Sequence, residues 1–268
     1  MKLCGNWPIG ICSWSLKNNT DKLAELMAET GISHIHLALA PVFSPAGKAY
    51  LDDIKRQGWQ LTATMIGFPQ EDYSTLESIK KTGGIVPDEC WEYNKKLVFD
   101  AIDMTASLGA KYLEFHFGFI DNKNSVFANH VKCLADVAAK KNVVLLMETG
   151  QETAQTLAEF IEKLAHPSLA INFDPGNMIL YGKGNPIEAV GLLGSWIKHV
   201  HVKDAVSSSA KNNWGTEVPW GSGVVKQEVF LAALERNGFS GALSIEREAG
   251  ESQFEDIKTA IKLLSRRL

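Results

Sequence analysis

Cysteine is scarce in this chain. Four are scattered among 268 residues, at Cys4, Cys12, Cys90 and Cys133, and none forms a C-x-x-C pair. Such usage fits reduced, buried thiols in an intracellular protein. A basic excess is also missing: 27 Lys and Arg stand against 31 Asp and Glu, a net charge of −4. Nucleic-acid surfaces usually show a clustered basic face, so no nucleic-acid partner is expected. No apolar run reaches the ~18 residues of a membrane helix, and the opening "MKLCGNWPIG" has no apolar signal core. The expectation is a soluble, cytoplasmic protein without a membrane partner. No Pro/Gly/Ser-rich linker divides the sequence, so residues 1–268 read as one domain. Its 45% hydrophobic content suffices for one large core.

What is present is a regular beat. Short β-rich runs fall at 8–14, 32–39, 59–67, 111–118, 142–149, 168–174, 197–203 and 241–247. Segments with helical spacing lie between them. Leu157, Phe160, Ile161 and Leu164 form one apolar stripe, and Phe254, Ile257, Ile261 and Leu264 form another. Strand–helix alternation implies parallel strands with crossover helices. Eight such units predict an α/β fold, a single (β/α)8 TIM barrel, for which about 250 residues is usual. An open doubly wound sheet is the alternative. It would normally carry a Gly-rich first turn, and "PIGICSWSLKN" has no G-x-G-x-x-G.

Two connections are long, 67–90 after the third strand and 204–225 after the seventh. Both follow strand C-terminal ends, where barrel enzymes build their sites. Residues 205–220 are expected to cover the pocket mouth.

The late strands end in a pattern. The fifth closes in "METG" with Glu148, the sixth in "NFDPGN" with Asp174. The seventh carries "HVHVKD" with His201, and the eighth ends in "LSIERE" with Glu246. Glu148 and Asp174 are 26 residues apart, Asp174 and His201 27, His201 and Glu246 45. The first two spacings match one strand–helix unit, and the third adds the long loop. Four potential metal ligands thus fall at similar heights on neighbouring strands. Inward carboxylates on apolar strands are costly unless paired or metal-bound. Three carboxylates and one imidazole suit Mn²⁺ or Mg²⁺, with Co²⁺ or Zn²⁺ as alternatives.

These motifs, with "PWGSG", "GICSWSL" and "EFHFG", resemble the xylose-isomerase-like barrel superfamily over nearly the whole chain. Its members include sugar isomerases, ketose 3-epimerases, hydroxypyruvate isomerase, inosose dehydratase and an apurinic-site endonuclease. In the epimerases a Glu–Asp–His–Glu set binds one divalent ion, and the two glutamates move the proton. The resemblance assigns Glu148, Asp174, His201 and Glu246 to the metal, with Glu148 and Glu246 catalytic. It selects His201 as the second histidine of H-x-H and leaves His199 one layer deeper. Many epimerases have histidine three residues after the aspartate, where this chain has Asn177. That position usually touches substrate, so ketose specificity does not transfer directly. The endonuclease's multi-zinc cluster needs more histidines, and the acidic balance also argues against it.

The implied activity is metal-dependent isomerisation or epimerisation of a sugar or small polyol-type carbonyl compound through an enediolate. Inosose-type dehydration shares the first step, and a non-catalytic sugar-binding barrel is the reading from another class. A homo-oligomer is left open. His116 is a candidate for substrate binding or proton relay, against a core hydrogen-bonded pair with Glu114. Lys203 is a candidate for holding a substrate hydroxyl or carboxylate, against a pair with Asp204. His36, nearer its strand end than His34, is a further candidate to reach the pocket. Trp14, Phe68, Trp214 and Trp220 are expected as an apolar wall, or else as scattered core aromatics.

Overall fold

Side chains alternate across a strand, so each barrel strand must satisfy two environments. The seventh, Ile197–Val202, shows how the sequence does so. Val200 and Val202 lie on one face and join the apolar core. His199 and His201 lie on the other, with His199 meeting the Ser244 hydroxyl and the Asn172 side chain inside the barrel.

The computed structural model describes residues 2–210 and 213–267. Eight parallel strands close into a ring: Trp7–Cys12, His34–Ala38, Gln60–Met65, Tyr112–Phe115, Val144–Glu148, Leu169–Phe173, Ile197–Val202 and Ala242–Ile245. Each pairs with its neighbours in chain order, and the first pairs with both the second and the eighth. This is the single (β/α)8 barrel expected from the alternation. The strands are shorter than the β-rich runs. The fourth stops at Phe115 and the eighth at Ile245, so His116 and Glu246 stand just beyond their strands.

Crossover helices cover the outside. In Ala154–Leu164, Leu157, Phe160 and Ile161 are buried, and Thr153 caps the start by accepting from the Thr156 amide at 3.2 Å. In Gln253–Leu264, Ile257, Ile261 and Leu264 are buried, as the stripe predicts. Among the described residues no helix is long and apolar enough to cross a membrane.

The sequence pattern did not show an N-terminal hairpin, in which Leu3–Cys4 runs antiparallel to the first barrel strand. A two-residue strand is too short for any period to register. Both long connections contain structure. Residues 67–90 hold the helix Leu76–Thr82 and a short turn of helix at Asp88–Cys90. Residues 204–225 form a ribbon of Asp204–Val206 against Thr216–Val218. Positions 211 and 212 of the expected cover lie outside the described residues.

Candidate metal centre and substrate cavity

The C-terminal ends of the strands surround a cavity of about 790 Å³, lined by Trp14, Tyr73, His116, Glu148, Asn177, Lys203, Trp214 and Glu246 among others. That size suits a small polar molecule. At its floor, one donor atom from each of Glu148, Asp174, His201 and Glu246 lies within 4.8 Å of the others.

Each member is held from the strand it ends. Glu148 is the last residue of the fifth strand. Its Oε2 is 2.8 Å from His116 Nε2, and its Oε1 accepts from Asn172 Nδ2 at 3.3 Å. Asp174 follows the sixth strand and caps the helix Pro175–Leu180, with Oδ1 accepting from the Asn177 amide at 2.9 Å. Its Oδ2 is buried without a hydrogen-bond partner. Glu246 follows the eighth strand. Its Oε1 accepts from Trp14 Nε1 at 2.7 Å and its Oε2 from Lys203 Nζ at 2.9 Å. His201 Nδ1 is 2.7 Å from Glu148 Oε1, 3.2 Å from Glu246 Oε2 and 3.6 Å from Asp174 Oδ2.

The electrostatics are unbalanced. Burial pushes Asp174 up to about 7, against the pull of His201. Burial also opposes ionisation of Glu148, but His116 and His201 outweigh it and bring that carboxyl down to about 2. Glu246 is held well below the usual range because Lys203 and His201 overcome the same burial. Three carboxylates thus meet in a buried space with two unpartnered atoms, Asp174 Oδ2 and His201 Nδ1. Two oxygen donors, an orphaned oxygen and an orphaned ring nitrogen fit a hard divalent cation.

A second layer supports the first. Asn172 joins Glu148 to His199, whose Nδ1 is 2.8 Å from Asn172 Oδ1. His199 Nε2 lies 3.0 Å from Ser244 Oγ and 3.1 Å from Thr62 Oγ1. Burial and the neighbouring His36 and His201 push its pKa well down. His199 therefore belongs to this deeper layer, as its place in H-x-H suggested.

Residues 13–267 match the family described as the xylose isomerase-like TIM barrel. The chain belongs to this family. A xylose isomerase domain protein from Planctomyces limnophilus superposes with a TM-score of 0.86 at 30% identity, covering 98% of this chain and 96% of that one. A D-allulose 3-epimerase from Methylomonas sp., in complex with D-allulose, shares the fold at 15% identity. Its TM-score is 0.72, over 100% of this chain and 98% of that one. An inosose dehydratase from Clostridium botulinum is 27% identical over 165 residues, 56% of this chain and 54% of that protein. This chain spans about half the length of the curated relatives it matches. The fold is thus shared with an epimerase, and about half of the sequence is similar to part of a dehydratase.

Within this family barrel the remaining candidates fall as follows. His116 pairs with Glu148, and the alternative pair with Glu114 does not form. Lys203 does not pair with Asp204. It bridges Glu246 Oε2 at 2.9 Å and Glu248 Oε2 at 2.8 Å. Asp204 instead accepts the amides of Ala205, Gly221, Gly223 and Val225, pinning the loop that follows the ribbon. Asn177 lines the cavity beside the Asp174 cap. Of the expected aromatic wall, Trp14 and Trp214 line the cavity. Phe68 and Trp220 are buried in the core, Phe68 against Phe115 and Trp220 against Phe230.

The sequence reading missed Glu71 and Tyr73. Both come from the long 67–90 connection and reach His116 Nδ1, Glu71 Oε1 at 3.5 Å and Tyr73 through its hydroxyl. Burial disfavours the His116 cation, but its contacts with Tyr73, Glu148 and Glu71 raise its pKa well above the usual value. Glu71 is fixed in turn by the amides of Phe68 and Gly84. Gly84 must be glycine: its φ is +61°, and a Cβ there would lie 2.3 Å from the His116 carbonyl oxygen. The length of this connection and its "TGG" turn were the available signal.

Proposed function

We propose that this protein is a divalent-metal-dependent isomerase or epimerase of a sugar or small polyol-type carbonyl compound. The observation that carries the reading is the buried Glu148–Asp174–His201–Glu246 cluster, with two of its atoms unpartnered at the floor of the cavity. These four residues would hold the ion, Mn²⁺ or Mg²⁺ by their mainly oxygen character. Bound there, a divalent ion supplies charge compensation for the substrate oxygens beside the reacting carbon.

The residues of the chain do the rest. Glu148 and Glu246 enter the cavity from the fifth and eighth strands and are the two candidate bases. Proton removal beside the carbonyl by one, and return by the other, gives isomerisation or epimerisation through an enediolate. His116 holds one oxygen of Glu148, and Trp14 and Lys203 hold the two of Glu246, so both carboxylates are oriented before substrate arrives. Low folded-state pKa values leave both as carboxylates at rest, the state the removing base requires, and the glutamate that returns a proton must first take it up from solvent. Asn177 and Lys203 line the cavity, where they would meet the substrate.

The partial match to inosose dehydratases favours a second reading, in which the enediolate expels a β-hydroxyl. Incubation with ketoses, inososes and hydroxypyruvate, with Mn²⁺ or Mg²⁺ added, separates the two. A product of unchanged mass supports isomerisation or epimerisation. Loss of water supports the dehydratase. No conversion of any of them, with metal bound, would remove both.

A further inference from the structure

Beneath the cluster lies a group of buried side chains that the proposed chemistry does not use. His36 sits in the second strand and Glu114 in the fourth, and both are buried. His36 Nδ1 is 3.1 Å from His201 Nε2. On the far side of the ring, His36 Nε2 is 3.5 Å from Glu114 Oε2. Neither of those two atoms has a hydrogen-bond partner elsewhere. Buried polar atoms are rarely left unpaired, so two orphans at the outer limit of a hydrogen bond from each other call for an account.

We propose that Glu114 and His36 are positioning residues that fix the ring tautomer of His201. The inference rests on the metal reading above. A neutral imidazole has one N–H and one lone pair. If His201 gives its Nδ1 lone pair to a metal, its hydrogen sits on Nε2 and is donated to His36 Nδ1. His36 must then carry its own hydrogen on Nε2, where Glu114 Oε2 is the acceptor. A carboxyl keeps an acceptor oxygen in either protonation state. The chain Glu114–His36–His201 therefore selects the nitrogen that faces the cluster. Partners that fix a ligating histidine in this way typically contribute about 10–100-fold in metal affinity.

The test compares Mg²⁺ and Mn²⁺ affinities of the full-length parent with those of Glu114→Leu and Glu114→Gln, by equilibrium dialysis. Glu114→Leu keeps the bulk and removes the acceptor. Its dissociation constant should rise about 10–100-fold. Glu114→Gln keeps a carbonyl acceptor without the charge and should stay within about threefold of the parent, since the hydrogen bond survives. Leu binding as tightly as the parent, or Gln binding as weakly as Leu, would overturn the relay while leaving the metal reading intact. A parent that binds neither ion would sink the metal reading, and the relay with it. If the Leu variant does not fold, ¹⁵N spectra of the histidine rings in the Mg²⁺-loaded parent decide. The relay requires hydrogen on Nε2 of both His36 and His201, and hydrogen on His36 Nδ1 contradicts it.

Discussion

His201 Nδ1 stands 2.7 Å from Glu148 Oε1, yet the contact is not aligned as a hydrogen bond. A ring nitrogen set among three carboxylates with no hydrogen bond of its own is placed where the proposed metal reading needs a lone-pair ligand. Replacing His201 by Ala should weaken divalent-metal binding by more than the about 10–100-fold typical of a supporting partner. Elemental analysis after dialysis reads this out. Undiminished metal content would mean that His201 is not a ligand.

Lys203 is the buried counter-charge of this site. Its Nζ lies between Glu246 and Glu248, and burial is outweighed by those two carboxylates, so its pKa rises well above the usual value. Lys203→Met removes one partner of a buried pair and should cost about 3–5 kcal/mol of stability. It should also raise the Glu246 pKa, because Lys203 is the main influence holding it down against burial. A base that protonates more readily is lost at higher pH. The acid limb of the kcat/KM profile should therefore move to higher pH, and an unmoved limb would separate Glu246 from the rate.

Glu152 gives a pH-dependent stability prediction away from the cluster. Burial raises its pKa from 4.5 to about 8, only partly offset by Lys183. The folded protein then holds this proton where the unfolded chain has released it, so stability falls as pH rises from about 4.5 to about 8. Glu152→Gln removes that loss. Its Tm should exceed the parent's at pH 8 and approach it near pH 4, by calorimetry across the range. A constant difference would assign the effect to packing.

Legibility in the sequence followed periodicity. Glu148, Asp174, His201 and Glu246 could be picked out because each lies at or within a residue of the C-terminal end of an apolar strand, on successive strand–helix units, and the barrel brings those ends together. Asp174 serves twice: one oxygen caps a helix and the other is left free in the cluster. Glu71 and Tyr73 were passed over because they lie in an irregular loop with no period to place them, and they meet His116 across 45 and 43 residues. Asn172 sits inside an apolar strand, and only its neighbours across the barrel reveal that it braces both Glu148 and His199. Phe68 and Trp220 took the second of their two expected places, the core, which the sequence left open for a related reason. A loop aromatic can turn inward or outward, and residue type alone does not decide which.

The most direct test of the proposed chemistry is deuterium uptake by the substrate in D₂O with metal-loaded protein. It uses the substrate found by the screen and compares the parent with Glu148→Gln and Glu246→Gln. Each replacement keeps the side-chain shape and an oxygen donor but removes the base. Turnover should fall by about 10²–10⁴-fold in both, the usual contribution of general acid–base catalysis, while bound metal falls far less. One of the two variants should still exchange the substrate C–H with solvent without forming product, and that variant identifies the glutamate on the returning side. Near-parental turnover in both variants, with metal bound, would contradict the assignment of proton transfer to Glu148 and Glu246.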